Sequence, residues 1–340
     1  MEFKDNFIIL IYYISLIFLM QEIRPFVKWA GWKRGLISQF IDYFPTKFDT
    51  YIEPFLWWGA VLIYILQFYK PKKVYAFDIN PNLINCYQVI KYDVEKLISI
   101  LFELQNEFHT AHSEKEKKEI YDKKKKQYNA IKLKKWETNI EKAALFIFLN
   151  KTCFNWLYRE NRKGEFNVPC WKYNENPTIC DSENLRDLSN LIQCVTFINW
   201  NYNLCNKFID NKTFVYFDPP YRPLNKQWFT SYSKEDFNDD DQKKLARFFR
   251  RVHKKNAYLM LSNSNPKNTN PDDNFFEELY EWFNINLVFA KRNINSKWNW
   301  RWAISELLIT NYKPFIKALI EWRINSWFSI EKAVRKVNIN

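Results

Sequence analysis

The chain has 340 residues, 51 Lys and Arg against 38 Asp and Glu, a net charge of +13 and a pI near 9.2. Apolar residues make up 47%, enough for a packed core, which excludes a disordered chain. Six scattered cysteines without a C-x-x-C pair and only three histidines argue against a zinc site and for reduced, cytoplasmic thiols, and the basic balance points to a polyanionic partner, nucleic acid being the commonest.

In chain order, Phe7–Met20 is an uncharged apolar run that is short for a membrane span. No basic segment precedes it and no A-x-A site follows it. We therefore read residues 1–20 as an extension outside the working protein, with a membrane anchor or a packed N-terminal helix as alternatives. Strands are expected over 48–55 (FDTYIEPF) and 73–79 (KVYAFDI), and a helix over Asn82–Leu104. Residues 112–137 are lysine-dense with little core-forming spacing and read as a solvated helix or linker. Glu141–Asn150 reads as a buried helix, and 151–195 as a polar, aromatic, irregular insertion. Further strands are expected in TFVYFDPPY (213–221), AYLMLSNS (257–264), INLVFAKR (285–292) and ISELLITNY (304–312), with helices at Asp239–Lys254 and Asn274–Trp282. The last two strands would form a hairpin around Asn295–Trp302. Strands and helices alternating on both sides of an insertion give an α/β fold with a mainly parallel sheet.

Three segments carry chemistry. Asp218-Pro219-Pro220-Tyr221 follows a hydrophobic strand, where open α/β sheets bind ligands. An exocyclic amine on a base is a poor nucleophile because its lone pair is delocalised. A carboxylate and a backbone carbonyl that each accept one N–H turn that lone pair toward an electrophile, and an aromatic ring can stack on a base drawn out of the duplex. Asp78 ends the next strand after the 53–60 loop and is placed to hold ribose hydroxyls. Residues 151–169 mix Lys151, Arg159, Arg162 and Lys163 with aromatic and amide side chains, which can read guanine and adenine or hold phosphates; an ordinary basic loop is the other reading.

Two counts stand out. There are four glycines, where average usage gives roughly two dozen, and fifteen tryptophans. Trp57 and Trp58 stand in EPFLWWGA (53–60), a loop that should be bare if it cradles a cofactor.

The segments KWAGWKR (28–34), EPFLWWGA, FDIN (77–80), LNKTCFNWLYRENRKGEFNVP (149–169), FVYFDPPYRPLNKQWFTSY (214–232), LSNSN (261–265) and NSKWNWRWAISELLITNY (295–312) stand in order. Together they resemble the Dam-type, D12-class DNA N6-adenine methyltransferases, and within them the subgroup that modifies GATC. The resemblance implies a Rossmann-like S-adenosylmethionine-dependent methyltransferase sheet, residues 21–110 and 196–315, with an inserted, mostly helical or irregular target-recognition domain at 111–195 and a tail at 316–340 of unknown role. It implies that Trp29, Ala30, Gly31, Lys33, Phe55, Gly59, Asp78 and Asp218 bind the cofactor. Asp218, Pro219, Pro220 and Tyr221 would form the catalytic set. Phe154, Asn155, Leu157, Arg159, Asn161, Asn167 and Pro169 would meet DNA: Arg159 reading a guanine, Phe154 intercalating, Leu157 and Pro169 packing near the bases and the three asparagines positioning the backbone. The implied partners are double-stranded DNA and a functionally cognate restriction endonuclease, with a monomeric enzyme and no metal. Methylation of another exocyclic amine, or a DNA-binding protein with a blocked cofactor loop, are the alternatives.

Where the family has glycine, this sequence has Trp32, Trp57, Trp58, Trp156, Trp282, Trp298 and Trp302, with Trp171, Trp200 and Trp300 assigned to the same set. Glycine codons lie one base from UGA and UGG, and some bacterial lineages read UGA as glycine. Both anomalous counts then have one cause: UGA codons written as tryptophan.

Overall fold

The structure, a computed structural model, describes residues 23–27, 33–134, 137–161, 163–172, 175–223, 237–290 and 304–313. The apolar run at 7–20, the candidate residues Trp29, Ala30 and Gly31, and the 295–302 connection lie outside them.

Seven strands form one sheet: β1 (Thr50–Glu53), β2 (Lys73–Asp78), β3 (Val195–Asn199), β4 (Thr213–Phe217), β5 (Tyr258–Ser264), β6 (Asn284–Ala290) and β7 (Ile304–Thr310), in the order β3-β2-β1-β4-β5-β7-β6. The first five are parallel, and β7 pairs antiparallel with both β5 and β6. Every residue of β1 and β4 is buried, as befits central parallel strands covered on both faces. Alternate side chains separate two cores: Tyr51, Phe214, Tyr216 and Met260 pack on one face, and Ile52, Val215, Phe217, Leu259 and Leu261 on the other.

The helices are α1 (Lys33–Phe40), α2 (Ala60–Phe68), α3 (Pro81–Tyr92), α4 (Val94–His109), α5 (Glu114–Ala130), α6 (Ile140–Thr152), α7 (Ser182–Leu191), α8 (Asp239–His253) and α9 (Phe275–Leu279). The first seven contribute to the first core, α8 and α9 to the second. Helix α8 starts with a capping box of Asn238 and Asp241, has three aspartates in its first turn and ends in Arg250, Arg251 and His253; both ends complement the helix dipole.

The expected strands and buried helices are present with shifted bounds, α6 running longer than the expected 141–150, and four readings change. The single helix expected over Asn82–Leu104 is two, broken at Asp93, whose φ of −135° and ψ of 32° are not helical. The lysine-rich segment is not merely solvated: Tyr121 and Tyr128, two turns apart, are buried and dock α5 on the core. The irregular insertion ends in a regular helix, α7, whose Leu185 and Leu188 are buried. The helix expected over Asn274–Trp282 is the short α9 alone, and Trp282 is exposed.

Candidate active site and recognition arm

The chain leaves β1 toward β2 and β3 on one side of the sheet and returns to β4 on the other. The carboxyl ends of β1 and β4 therefore flank the topological switch point, where open sheets bind ligands. Asp218 stands one residue past β4 and is 9% exposed. Its Oδ1 accepts from Ser262 Oγ at 3.1 Å, and Ser262 Oγ lies 2.8 Å from the Tyr216 hydroxyl. A serine hydroxyl has one proton, so when Ser262 donates to Asp218 it accepts from Tyr216. The carboxylate is thereby held from beneath, from inside the sheet.

The residues after Asp218 are fixed with equal care. The Pro220 carbonyl accepts from Gln242 Nε2 at 2.9 Å, and the Tyr221 hydroxyl donates to Glu306 Oε2 at 2.7 Å. Burial and the Glu306 carboxylate push the Tyr221 phenol well above its ordinary range, so it stays protonated and donates. Arg222 forks onto Asp239 at 2.8 and 3.1 Å, reaches Asp273 at 2.7 Å, and lies over the Phe275 ring. Gln242, Ser262, Arg222 and Glu306 were not singled out in the sequence. Arg222, Ser262 and Glu306 fall within the quoted motif segments, whereas Gln242 does not and becomes meaningful only through the Pro220 carbonyl, more than twenty residues away.

On the other side of the switch point, Asp78 is buried at the end of β2. Its Oδ1 accepts from the Asn80 amide at 2.8 Å and its Oδ2 from the Trp57 amide at 3.1 Å. Burial pushes its carboxyl up to about 6, against the opposing pull of the Asn80, Trp57 and Ile79 amides. Gly59 has φ 62°, and a Cβ there would lie 2.5 Å from the Tyr87 hydroxyl, so only glycine fits. Phe55 stacks on Tyr202, with ring centroids 5.2 Å apart, and so packs within the second core.

Trp57 spans the two acids. Its backbone amide is on Asp78, and its indole Nε1 donates to the Asp218 carbonyl oxygen at 2.7 Å. Its φ is 46°, in the left-handed region that glycine adopts freely and tryptophan does not. Trp58 turns the other way and is buried 6.0 Å from the Phe146 ring of α6. Two buried acids, Asp78 and Asp218, are thus both at the sheet edge, which fits a nucleoside methyl donor. Between them the Trp57 indole occupies the Asp218 carbonyl oxygen.

Residues 153–170 form an arm folded back on itself. Isolated antiparallel backbone β-bridges pair Cys153 with Cys170, both free thiols, and Glu160 with Phe166. The turn is closed by Asn161, whose Oδ1 accepts from the Lys163 and Glu165 amides, and by Gly164 with φ 73°. Arg159 is exposed; its Nε donates to Asn167 Oδ1 at 2.8 Å, and its carbonyl accepts from the Asn167 amide. Phe154 is half-buried and meets Trp171 edge-on at 4.5 Å. Its amide donates to the Pro169 carbonyl, while Leu157 packs on the core and Asn155 is exposed with φ 52°. Trp156 follows at φ 53°. The arm brings the expected DNA-facing residues together on one hairpin; Asn161 and Asn167 hold the hairpin's own turn and its arginine. Lys33 opens α1.

A mainly parallel sheet with an antiparallel last strand pair, an acid-proline-proline-tyrosine turn at its switch point and a second buried acid at the end of β2 fit a nucleoside-cofactor-dependent methyltransferase of the Rossmann-like kind. Residues 29–294 match the D12 class of N6 adenine-specific DNA methyltransferases, and the chain belongs to that family. It is 49% identical over 298 residues to the Type II methyltransferase M.MjaIII of Methanocaldococcus jannaschii, covering 86% of this chain and 100% of that protein. It is 34% identical to the Type II methyltransferase M1.LlaDCHI of Lactococcus lactis subsp. cremoris, covering 86% and 96%. It is 30% identical to the DNA adenine methylase of Haemophilus influenzae, covering 84% and 92%. The chain is an adenine-specific DNA methyltransferase that uses S-adenosylmethionine. Among the described residues no group of His, Cys, Asp and Glu could hold a metal ion, and no helix is long and apolar enough to cross a membrane.

Proposed function

We propose that the enzyme methylates adenine N6 within GATC in duplex DNA, as the modification partner of a restriction endonuclease or in a Dam-like role, acting as a cytoplasmic monomer. The recognition domain is 111–195, set into a catalytic domain of 21–110 and 196–315. One observation carries the reading: Asp218 is braced at the switch point while Arg159 is displayed on a hairpin tied back to the same molecule. The target adenine is drawn out of the stack and its ring lies on Tyr221. The Asp218 carboxylate accepts one N6 hydrogen and a proline carbonyl the other. Gln242 already donates to the Pro220 carbonyl, which assigns that role to Pro219. S-adenosylmethionine, when bound, supplies an electrophilic methyl group. Both acceptors are fixed before the base arrives, so no reorganisation is needed as charge develops on N6. Phe154, Asn155, Leu157, Asn161, Asn167 and Pro169 shape the arm around the base-reading Arg159, which matches guanine bidentately. Methylating plasmid DNA and mapping every modified base tests the target: N6-methyladenine confined to GATC supports it, and modification at another motif or on cytosine removes it.

Glycine stands at 57, 58 and 156 in the working enzyme, translated from UGA. Support comes from the backbone: among the described tryptophans, Trp57 and Trp156 alone have left-handed φ. With glycine at 57, the amides after β1 approach the donor directly and Asp78 and Asp218 hold its two ends, with Lys33, Gly59 and residues 29–31 completing the pocket.

A further inference from the structure

The guanine-reading arm and the cofactor pocket touch through a small half-buried polar cluster that neither function requires by itself. Asp78 holds the Asn80 amide at 2.8 Å. Asn80 caps α3, its side-chain oxygen accepting from the Asn82 and Leu83 amides at 2.9 and 3.4 Å. From the first turn of α3, Asn82 Nδ2 reaches the Tyr158 hydroxyl at 3.2 Å and Glu160 Oε1 at 3.4 Å. The Tyr158 hydroxyl donates to the same Glu160 oxygen, and the Tyr128 hydroxyl of α5 lies 3.4 Å away. Tyr158 is 5% exposed. Tyr158 and Glu160 flank Arg159, which points outward between them. The ribose-side acid and the base-reading arginine are therefore separated by one helix cap and one amide side chain.

We infer that Asn82, Tyr158 and Glu160 are positioning residues that couple occupancy of the cofactor pocket to guanine reading by Arg159. The inference rests on the functional reading above. A ribose on Asp78 orders the Asn80–Asn82 cap, the ordered cap fixes Tyr158 and Glu160, and the arm that carries Arg159 loses less freedom when DNA arrives. The second ligand then meets a molecule whose ordering cost is already met. Linkage makes the effect reciprocal: DNA raises cofactor affinity by the same factor.

The experiment measures binding of a GATC duplex by fluorescence anisotropy, with and without saturating S-adenosylhomocysteine, and the reciprocal titration by calorimetry. It uses the full-length chain both with tryptophan and with glycine at 57, 58 and 156. The parent that binds both ligands should show mutual tightening of about tenfold, inside the usual span of such couplings. Tyr158→Phe, which keeps the ring but removes the shared hydroxyl, should bring the factor below about twofold while each ligand alone still binds. Glu160→Gln keeps an accepting oxygen and should retain most of the coupling. If Tyr158→Phe does not fold, Asn82→Ala gives the same reading from the opposite side. A coupling factor unchanged in Tyr158→Phe or Asn82→Ala, or a parent that binds both ligands independently, overturns the inference alone. A parent that shows no preference for GATC duplexes overturns the target reading, and this one with it.

Discussion

Two loops leave neighbouring central strands at the same edge of the sheet, and they are built in opposite ways. The loop after β4 obeys its sequence: two prolines restrict φ, Gln242 takes a proline carbonyl, and Arg222 is clamped by Asp239 and Asp273. The loop after β1 contradicts its sequence. It needs left-handed residues at 57 and 59, and only the second is glycine. Local sequence and fold normally agree, and disagreement marks function, strain or error. The first loop has its polar groups braced for a reaction. The second sets an indole against the Asp218 carbonyl.

The sharpest way to break this comparison is to remove the chemistry of the first loop. Asp218→Ala should lower methyl transfer by about a hundred- to a thousandfold, the scale of losing one pre-organised hydrogen-bonding group in a transition state, while DNA affinity stays close to the parent's. The check is tritiated methyl incorporation beside an anisotropy titration. Incorporation at the parent's rate would remove Asp218 from the mechanism.

The second loop predicts the reverse sign, a gain on substitution. Trp57→Gly with Trp58→Gly relieves a left-handed tryptophan and frees the Asp218 carbonyl from the indole. Overpacking of about 1–3 kcal/mol translates to S-adenosylhomocysteine binding roughly five- to a hundredfold tighter by calorimetry. Equal affinity would show that the indole swings aside at no cost. Sequencing the gene separates the genetic from the physical claim, since UGG codons at 57 and 58 would make the tryptophans genuine.

How far the sequence could be read follows the range of the interactions involved. The strands were visible because the hydrophobic stretches at 50–53, 213–217 and 258–261 need no partner to be noticed. Asp218 and Asp78 were visible because they end such stretches. The docking of α5 rests on two tyrosines among lysines, and Tyr121 gains its meaning from the Val168 carbonyl 47 residues on. The break at Asp93 had no proline or glycine to announce it. The links from Asn82 to Glu160 and from Tyr221 to Glu306 join residues 78 and 85 apart, so neither can be seen from spacing. For the same reason Phe55, named for the cofactor loop, has its ring on Tyr202, which is contributed by a distant turn.

A pH dependence sharpens the comparison most, because it tests the second loop without changing it. Burial raises the Asp78 carboxyl from 3.8 to about 6. Between those values the native state holds more proton than the unfolded one, so stability of the cofactor-free protein falls as pH rises through this window. The full difference is worth roughly 3 kcal/mol. A ribose held by the ionised carboxylate imposes the opposite slope: cofactor affinity rises through the same window and levels off above about pH 7. The two slopes share one titrating group, so Asp78→Asn should flatten both while weakening binding. Melting curves of the free protein and calorimetry with S-adenosylhomocysteine, each from about pH 5 to 8, read the two slopes. Affinity that stays flat in the parent across that range would mean that Asp78 does not hold the donor, and that the conflict at Trp57 lies beside the pocket and not within it.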